Sequence, residues 1–344
     1  MSKIKNIKFI TKKYSYKKPF HIANSFATGA TNVEVEIETE EGIKGFGEAS
    51  PSWRVCGETS DSVVSLLNKA KSILNGKDIE RYSLIFKEMS SFIFSPSLVT
   101  AIEFAVIDAL CKKNGIRVWK FLGGNKNEIE TDKTVSISSV DDMVTDSIKI
   151  KREGFNIIKI KTGENLSKDI EVIEEIYRKT KGLRYIVDAN TGYTPKEAIC
   201  FAKKIYSKGI DISVFEQPVN RYDIESLKLV RFNSPFPVCA DESVKTKYDA
   251  LNLIKKEAVD YINIKLMKSG FSQALSIIEL ALSSNIKLMI GCMSESSVGI
   301  NQSVQLACGR GVFDFCDLDS HLLIKEDKIR GDFVQNKNII RVKP

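Results

Sequence analysis

The sequence predicts an α/β protein, a parallel barrel preceded by a small α+β unit. Two observations carry that prediction. From about Glu128 onward, eight short apolar runs alternate with amphipathic helical stretches. Before that point the chain runs strands first and helices afterwards. A third observation is negative: an open doubly wound sheet would want a Gly-rich phosphate loop after its first strand, and none is present.

Within the first unit, Lys3 to Phe9 reads as a strand, and Phe20–Thr31 as a polar loop containing Gly and Ser. Val33, Val35 and Ile37 alternate with Glu34, Glu36 and Glu38, a half-exposed strand of period 2. Glu41-Gly42 makes a turn, and Ile43 to Ala49 returns as the hairpin partner. A second loop, Ser50–Thr59, carries Trp53 and Arg54. Helical patterns follow at about Asp61–Leu74, Ile79–Met89 and Ser97–Lys113; the last puts Leu98, Ile102, Ala105, Ala109 and Leu110 on one stripe.

The barrel strands are expected at Thr131–Ile137, Ile157–Lys161, Arg184–Val187, Ile212–Phe215, Phe236–Ala240, Tyr261–Ile264, Lys287–Ile290 and Val312–Phe315. The helix after the second has Ser167 as its expected N-cap, Asp169 and Glu171 in its first turn and Gly182 as its stop. The next begins Thr194-Pro195-Lys196-Glu197, a capping box with Pro at the first helical position. The tail has strand character again in Ile339–Val342 and is expected to rejoin the N-terminal sheet.

The chain has 344 residues, 43% hydrophobic and 28% charged, enough for one large domain or two ordinary ones. No run is long enough to span a bilayer, so no membrane partner is expected. The Lys-rich start, Met1 to Lys18, lacks an apolar signal core, which points to a cytoplasmic protein. Seven cysteines with no paired spacing argue against a disulfide framework and against a CxxC zinc site. Cys111 and Cys200 fall in helical patterns as small buried residues. The net charge of +7 comes from lysines interleaved with Glu and Asp, the pattern of a solvated surface and not of a nucleic-acid-binding patch.

Chemistry is concentrated at the strand ends. The run Ile157-Ile158-Lys159-Ile160-Lys161 places two lysines on one face of an apolar strand. Strand two ends in Lys161, three in Asp188, four in Glu216, five in Asp241 and six in Lys265, at intervals of 27, 28, 25 and 24 residues, one βα unit each. In a barrel these ends converge on the C-terminal mouth, where this fold places its active sites. Singly, Asp188 could be a turn residue and Glu216-Gln217-Pro218 a polar strand end; five in register point to a site.

Three carboxylates from adjacent strands, with no His or Cys nearby, form a hard oxygen site suited to Mg²⁺ or Mn²⁺, not zinc. A lysine serves as a base only if its pKa is lowered, and a divalent cation and a second ammonium both disfavour its protonated form. Lys159 supplies that second charge beside Lys161. An amine on each side of a Lewis acid can remove a proton α to a carboxylate and return it from the other face, with charge stabilised as an enediolate.

These residues carry a resemblance. Lys159-Ile160-Lys161, Asp188-Ala189-Asn190, Glu216-Gln217-Pro218, Asp241-Glu242-Ser243 and Asn263-Ile264-Lys265 resemble the enolase superfamily, specifically its muconate-lactonizing-enzyme-like subgroup. The resemblance implies a (β/α)₇β TIM-like barrel over about 123–322. An α+β capping domain would be built from residues 1–122 and from a returning tail, 323–344. It implies Lys161 and Lys265 as acid–base residues, Asp188, Glu216 and Asp241 as metal ligands for Mg²⁺ (or Mn²⁺), and Asn190 in support.

The last strand ends Asp317-Leu318-Asp319, similar to the dipeptide epimerases of that subgroup, where two carboxylates hold the free α-ammonium of the substrate. Muconate cycloisomerase, o-succinylbenzoate synthase and N-acylamino-acid racemase are the alternatives within the subgroup; a non-catalytic ligand- or nucleic-acid-binding barrel is the alternative outside it. The mandelate-racemase-like branch needs a His–Asp dyad late in the barrel, and the two histidines, His21 and His321, are not on strand seven. Thr134, Lys159 and the segment Gly291-Cys292-Met293-Ser294-Glu295-Ser296 resemble substrate-lining positions, Met293 and Ser294 in particular. The expected reaction is Mg²⁺-dependent epimerisation of an L-Ala-L-Glu-like dipeptide of murein origin. In the Ala-Glu epimerases the first cap loop carries an arginine for the glutamate side chain; this chain has Asn24-Ser25 there, which leaves the preferred second side chain open, and Arg54 in the second loop is either a substitute cation or an ordinary exposed arginine. Barrel enzymes of this kind often form homo-oligomers, but no patch in the sequence marks one.

Overall fold

Period 2 does at Val33, Val35 and Ile37 what it requires: all three are buried, while Glu34, Glu36 and Glu38 stay partly exposed. The computed structural model describes residues 2–92, 94–326 and 328–344. Strands β1 (Ile4–Ile22), β2 (Ser25–Thr39) and β3 (Lys44–Ala49) form an antiparallel sheet in that order. The expected Phe20–Thr31 loop is instead the far end of a long hairpin. His21 pairs with Phe26 and Ile22 with Ser25, so only Ala23 and Asn24 make the turn. The small polar residues there give no alternation to read, because that end of the ribbon reaches over the barrel and is only half buried.

Helices α1 (Ser60–Leu74) and α3 (Pro96–Lys113) pack on this sheet, α2 (Tyr82–Phe92) packs against α3, and Thr59 caps α1 in a capping box with Ser62. Every residue of α3 from Ser97 to Cys111 is buried, because the helix lies between the sheet and the barrel. A short α4 (Val118–Phe121) and β4 (Glu128–Glu130) lead to the barrel.

Eight parallel strands follow: β5 (Lys133–Val135), β6 (Ile157–Lys161), β7 (Arg184–Asp188), β8 (Val214–Glu216), β9 (Val238–Ala240), β10 (Tyr261–Ile264), β11 (Lys287–Gly291) and β12 (Phe315–Asp317), paired in sequence order. A parallel bridge from Thr131 to Cys316 closes the ring. The helices between them are α5 (Val140–Arg152), α6 (Leu166–Lys179), α7 (Pro195–Ser207), α8 (Ile224–Asn233), α9 (Lys247–Lys255), α10 (Leu266–Ser269), α11 (Phe271–Ser283), α12 (Ser297–Arg310) and, after β12, α13 (Ser320–Leu323). Among the described residues no helix is long and apolar enough to cross a membrane.

The structure corrects several boundaries. The first barrel strand is Lys133–Val135, and the last is Phe315–Asp317 where Val312–Phe315 was expected. Asn165, not Ser167, caps α6, accepting from the Lys168 amide. The α7 capping box at Thr194 and Glu197 forms as expected. Cys111 is buried, but Cys200 on α7 is only partly so. The tail strands β13 (Phe333–Asn336) and β14 (Ile339–Val342) do not rejoin the N-terminal sheet: β14 pairs with β4. The tail does touch the first unit, through a bridge from Tyr16 to Ile324.

Inside the barrel one apolar layer, Ile157, Ile186, Val214, Cys239, Tyr261, Met289 and Phe315, seals the N-terminal end. Two residues further along every one of those strands comes Lys159, Asp188, Glu216, Asp241, Asn263, Gly291 or Asp317. Side chains two apart share a face, so these form the next layer up. The outward faces, such as Ile158, Ile160, Val187 and Ile262, pack in the large core under the helices.

Candidate active site

The strand ladder sets the site. Lys161 stands opposite Asp188 in the β6–β7 pair, and Asp188 opposite Glu216 in the β7–β8 pair. Asp241 follows β9, and Lys265 follows β10. Each of these groups is at least nine-tenths buried, a costly place for charge unless it is paired. Pairing is dense. Lys161 Nζ lies 2.6 Å from Asp188 Oδ2, and Lys265 Nζ 2.8 Å from Asp241 Oδ2. Lys159 Nζ lies 3.0 Å from Asp188 Oδ2, 2.8 Å from Glu216 Oε2 and 2.7 Å from Asp317 Oδ2. Lys159 is completely buried among these carboxylates, beneath the cavity and not on its wall.

The carboxylates respond unequally. Burial opposes ionisation of Asp188, but the Lys161 and Lys159 ammoniums outweigh it and hold the carboxyl at about 2. Burial opposes it at Asp241 too, and Lys265 and Lys268 hold that group well below the usual range. At Glu216 burial wins: with Asp188 charged beside it, the carboxyl is pushed up to about 7. Burial also disfavours the Lys265 ammonium, yet Asp241 keeps it above the ordinary lysine range.

Asp188, Glu216 and Asp241 each offer an oxygen within 4.8 Å of the others. Glu216 Oε2 accepts no hydrogen bond, although Lys159 is close. Three buried carboxylates with an oxygen left over are a donor set fit for a hard divalent cation. The loops behind hold their ligands rigidly. Asn190 donates its amide to Asp188 Oδ1 at 2.9 Å, and its side chain reaches Glu242 Oε1 at 3.1 Å. Gln217 Oε1 accepts from the Asp241 and Ser243 amides, and Asn263 Nδ2 donates to Glu216 Oε1 at 2.8 Å. Gly163 and Gly291 leave room: a Cβ on Gly163 would lie 2.4 Å from the Ala189 carbonyl oxygen, and one on Gly291 2.9 Å from Lys265 Cε.

Above this floor lies a cavity of about 450 Å³. Lys161, Lys265, Asn190, Asp241, Thr134, Met293, Ser294, Asp317 and Asp319 all border it, so the expected site residues converge on one space, with Lys159, Asp188 and Glu216 in the floor beneath it. Asp319 Oδ2 accepts from the Thr134 amide at 2.7 Å; burial and neighbouring Asp317 push its carboxyl up to about 6. Burial opposes ionisation of Asp317 also, but Lys159 holds it below the usual range. The roof comes from the β1–β2 hairpin and the Ser50–Thr59 loop. Asn24 Nδ2 donates to the Asn190 carbonyl at 2.9 Å, and the Arg54 guanidinium bonds the Asn24 carbonyl. Phe20, Phe26 and Trp53 line that side.

Sequence reasoning missed several groups. Asp132 lies on the barrel's closing seam, entirely buried, with its carboxyl against that of Asp317. Burial and the charges of Asp317 and Asp319 raise it well above the carboxylate range, the protonated form. Glu295, in the segment after β11 that the sequence associates with the pocket, is likewise buried and pushed up to about 8. Lys268, three residues after Lys265, is buried against Asp241. His21, expected in a loop, is on β1 with Nε2 2.9 Å from Glu164, and His321 bonds Gln335.

A parallel barrel with a buried carboxylate triad between lysines of opposite walls defines a class, and comparison with known proteins agrees. The chain belongs to the enolase superfamily: residues 142–343 match the family "Enolase C-terminal domain-like", and residues 5–123 match "Mandelate racemase / muconate lactonizing enzyme, N-terminal domain". Its relatives narrow the branch. The chain is 56% identical over 343 residues to the L-Ala-D/L-Glu epimerase of Thermotoga maritima, spanning 100% of this chain and 99% of that one. The solved substrate-liganded L-Ala-D/L-Glu epimerase of Bacillus subtilis superposes with a TM-score of 0.97 at 32% identity, over 99% of this chain and 97% of that one. A dipeptide epimerase of Enterococcus faecalis, solved with Mg and the dipeptide L-Leu-L-Tyr, does so with a TM-score of 0.94 at 31% identity, over 99% and 97%. The chain is an isomerase of this dipeptide-epimerase branch.

Proposed function

We propose that this enzyme epimerises dipeptides of the L-Ala-L-Glu type at the α-carbon of the C-terminal residue, by proton transfer between Lys161 and Lys265. One observation carries the reading. β6 and β10 are four strands apart in an eight-stranded ring, so their lysines face each other across the cavity with the carboxylate triad between them. That is the arrangement needed to take a proton from one face of a carbon and return it to the other.

Asp188, Glu216 and Asp241 would hold the divalent cation, Mg²⁺ or Mn²⁺. When bound it supplies positive charge for the substrate carboxylate, whose α-proton is otherwise far too weakly acidic to remove. With Asp188 and Asp241 engaged there, Lys161 and Lys265 would give up those ion pairs and be free to reach the two faces of the substrate carbon. One lysine, neutral, accepts the α-proton; the other, charged, delivers one to the opposite face. Each turnover exchanges their protonation states, and proton exchange with solvent restores them. Lys159, enclosed by carboxylates, adds fixed positive charge below the cavity and does not itself move a proton.

Asp317 and Asp319 bracket the end of the cavity where a free α-ammonium would sit, which favours an unblocked dipeptide over an N-acyl amino acid. Thr134, Met293 and Ser294 lie where the peptide unit would pass. Murein peptides, handled in the cytoplasm, are the proposed source. The test is incubation of the Mg²⁺-loaded enzyme with L-Ala-L-Xaa dipeptides in D₂O, read by mass. Incorporation of one deuterium together with appearance of the L,D epimer is expected. Lack of exchange across the whole dipeptide set, with Mg²⁺ bound, would overturn the reading.

A further inference from the structure

Asp241 carries two lysines, and they are not equivalent. Lys265 Nζ reaches Oδ2 at 2.8 Å and borders the cavity. Lys268 Nζ reaches Oδ1 at 2.5 Å, does not border the cavity and is 2% exposed. Its other hydrogen bonds go to two main-chain acceptors, the Asp241 carbonyl and, at 3.1 Å, the Asn263 carbonyl. All three donors of that ammonium are therefore spent on the ends of β9 and β10. Asn263 in turn fixes Glu216, through Nδ2 to Oε1 at 2.8 Å. One buried cation thus stitches together the two segments that present Asp241 and Glu216.

We infer that Lys268 is a positioning residue for the cation site: it holds Asp241 Oδ1 permanently and leaves Oδ2, the oxygen shared with Lys265, as the one offered to the ion. The inference rests on the triad being the cation site. Its physical content is a division of labour. Lys265 is a counter-ion that a metal displaces, because its stem ends in the cavity and can swing there. Lys268 has nowhere to go. Its short helix α10, Leu266–Ser269, is buried throughout and packs against α3. A buried carboxylate left with no fixed partner would reorient or take up a proton, and either change weakens it as a ligand.

Removing the two lysines should therefore move cation affinity in opposite directions. Mn²⁺ binding to the substrate-free protein, followed by calorimetry and by the loss of the free-ion paramagnetic resonance signal, reads this without any turnover. K268M is expected to weaken binding about 10- to 100-fold, the usual effect of losing an outer partner of a ligand. K265M removes a competitor for Oδ2 and is expected to bind Mn²⁺ as tightly as the wild type or more tightly.

D241N supplies the cross-check: if Lys268 acts through Asp241, K268M adds little in the D241N background, whereas a general packing role would add its full effect. Should K268M not fold, K268Q, which keeps an amide donor for the carbonyls without the charge, carries the same test. Unchanged Mn²⁺ affinity in a folded Lys268 variant overturns the inference, as does equal weakening by K265M. Failure of both variants to fold assigns Lys268 to the scaffold and overturns it too. Absence of Mn²⁺ binding by the wild type would instead remove the triad reading itself.

Discussion

Lys161 and Asp188 stand opposite each other on adjacent strands, with Nζ 2.6 Å from Oδ2, yet Asp188 does not depend wholly on Lys161. Asp188 has a second cation, Lys159, at 3.0 Å. Deleting Lys161 therefore does not leave Asp188 without a cation. K161A is expected to fold and to bind Mg²⁺ as the wild type does, while epimerisation falls roughly 10²- to 10⁴-fold, the usual contribution of a positioned acid or base. In D₂O the variant should fail to exchange the α-proton of one epimer. Normal exchange from both epimers would show that Lys161 moves no proton.

Asp317 and Asp319 differ in how committed they are. Asp317 is held by the Lys159 cation at 2.7 Å, whereas Asp319 is held by the neutral donors of Thr134, chiefly its backbone amide. Asp319 is thus the carboxylate better able to answer an arriving ammonium. Losing a charged hydrogen bond costs about 1.5–3 kcal/mol. D319N is accordingly expected to raise KM for free dipeptides about 10- to 100-fold with a smaller change in kcat. N-acetylated dipeptides should be handled alike by both forms. Intact activity in D319N would favour another reaction of the subgroup, one whose substrate has no amino group.

How legible this site was depended on repetition. The five charged strand ends could be read because one βα unit separates each from the next, and the ladder places them as that spacing requires. The rest had no such period. Lys268 looks like any lysine after a helix start, and only the tight turn from β10 into α10 turns it back onto Asp241. Asp132 looks like a loop acid; only the Thr131–Cys316 bridge places it behind Asp317. One signal was present and unused: an apolar residue lies two before each of Lys159, Asp188, Glu216, Asp241, Asn263, Gly291 and Asp317. That constant offset marks the inner face of the barrel and puts Asn263 and Gly291 in the same layer as the charged strand ends. The β1–β2 hairpin was illegible for the opposite reason, since a ribbon lying over a cavity has no buried face to encode.

Arg54 is the cap's candidate for recognising an acidic second side chain. Its guanidinium lies 4.4 Å from the Trp53 ring centroid and bonds the Asn24 carbonyl, among the apolar residues Phe20, Phe26 and Trp53. An exposed charge pair is worth about 1 kcal/mol at most, so the expected effect is modest. R54A should lower kcat/KM for L-Ala-L-Glu about 5-fold and leave L-Ala-L-Phe unchanged, and the Glu effect should shrink at high salt. An equal loss for both dipeptides would make Arg54 a latch between the two cap segments and not a reader of charge.

Glu103 tests how the cap is joined to the barrel. It lies on α3, yet its carboxylate accepts from the Ser272 amide at 2.8 Å and the Ser272 hydroxyl at 2.7 Å, at the start of α11. α11 has no side-chain cap of its own, so a residue of another helix does that work. Burial nonetheless pushes Glu103 up to about 7, against hydrogen bonds that favour the charged form. In the unfolded chain the group titrates near its ordinary value of 4.5. Between those values the folded state keeps a proton that the unfolded state has released. The stability contributed by this group is therefore complete below about pH 4.5 and is lost as pH rises through about 7, by about 3 kcal/mol in all. Glu48 and Glu295, also raised, act in the same direction, so the wild type should be less stable at pH 8 than at pH 5 by their combined effect. E103Q keeps an oxygen for the Ser272 amide and has no charge to bury. Urea unfolding at the two pH values should show the wild-type difference reduced by about 3 kcal/mol in E103Q, chiefly through a gain at pH 8. An identical pH dependence in the two proteins would mean that Glu103 is ionised in the folded state throughout, and that α11 is capped by a full carboxylate charge.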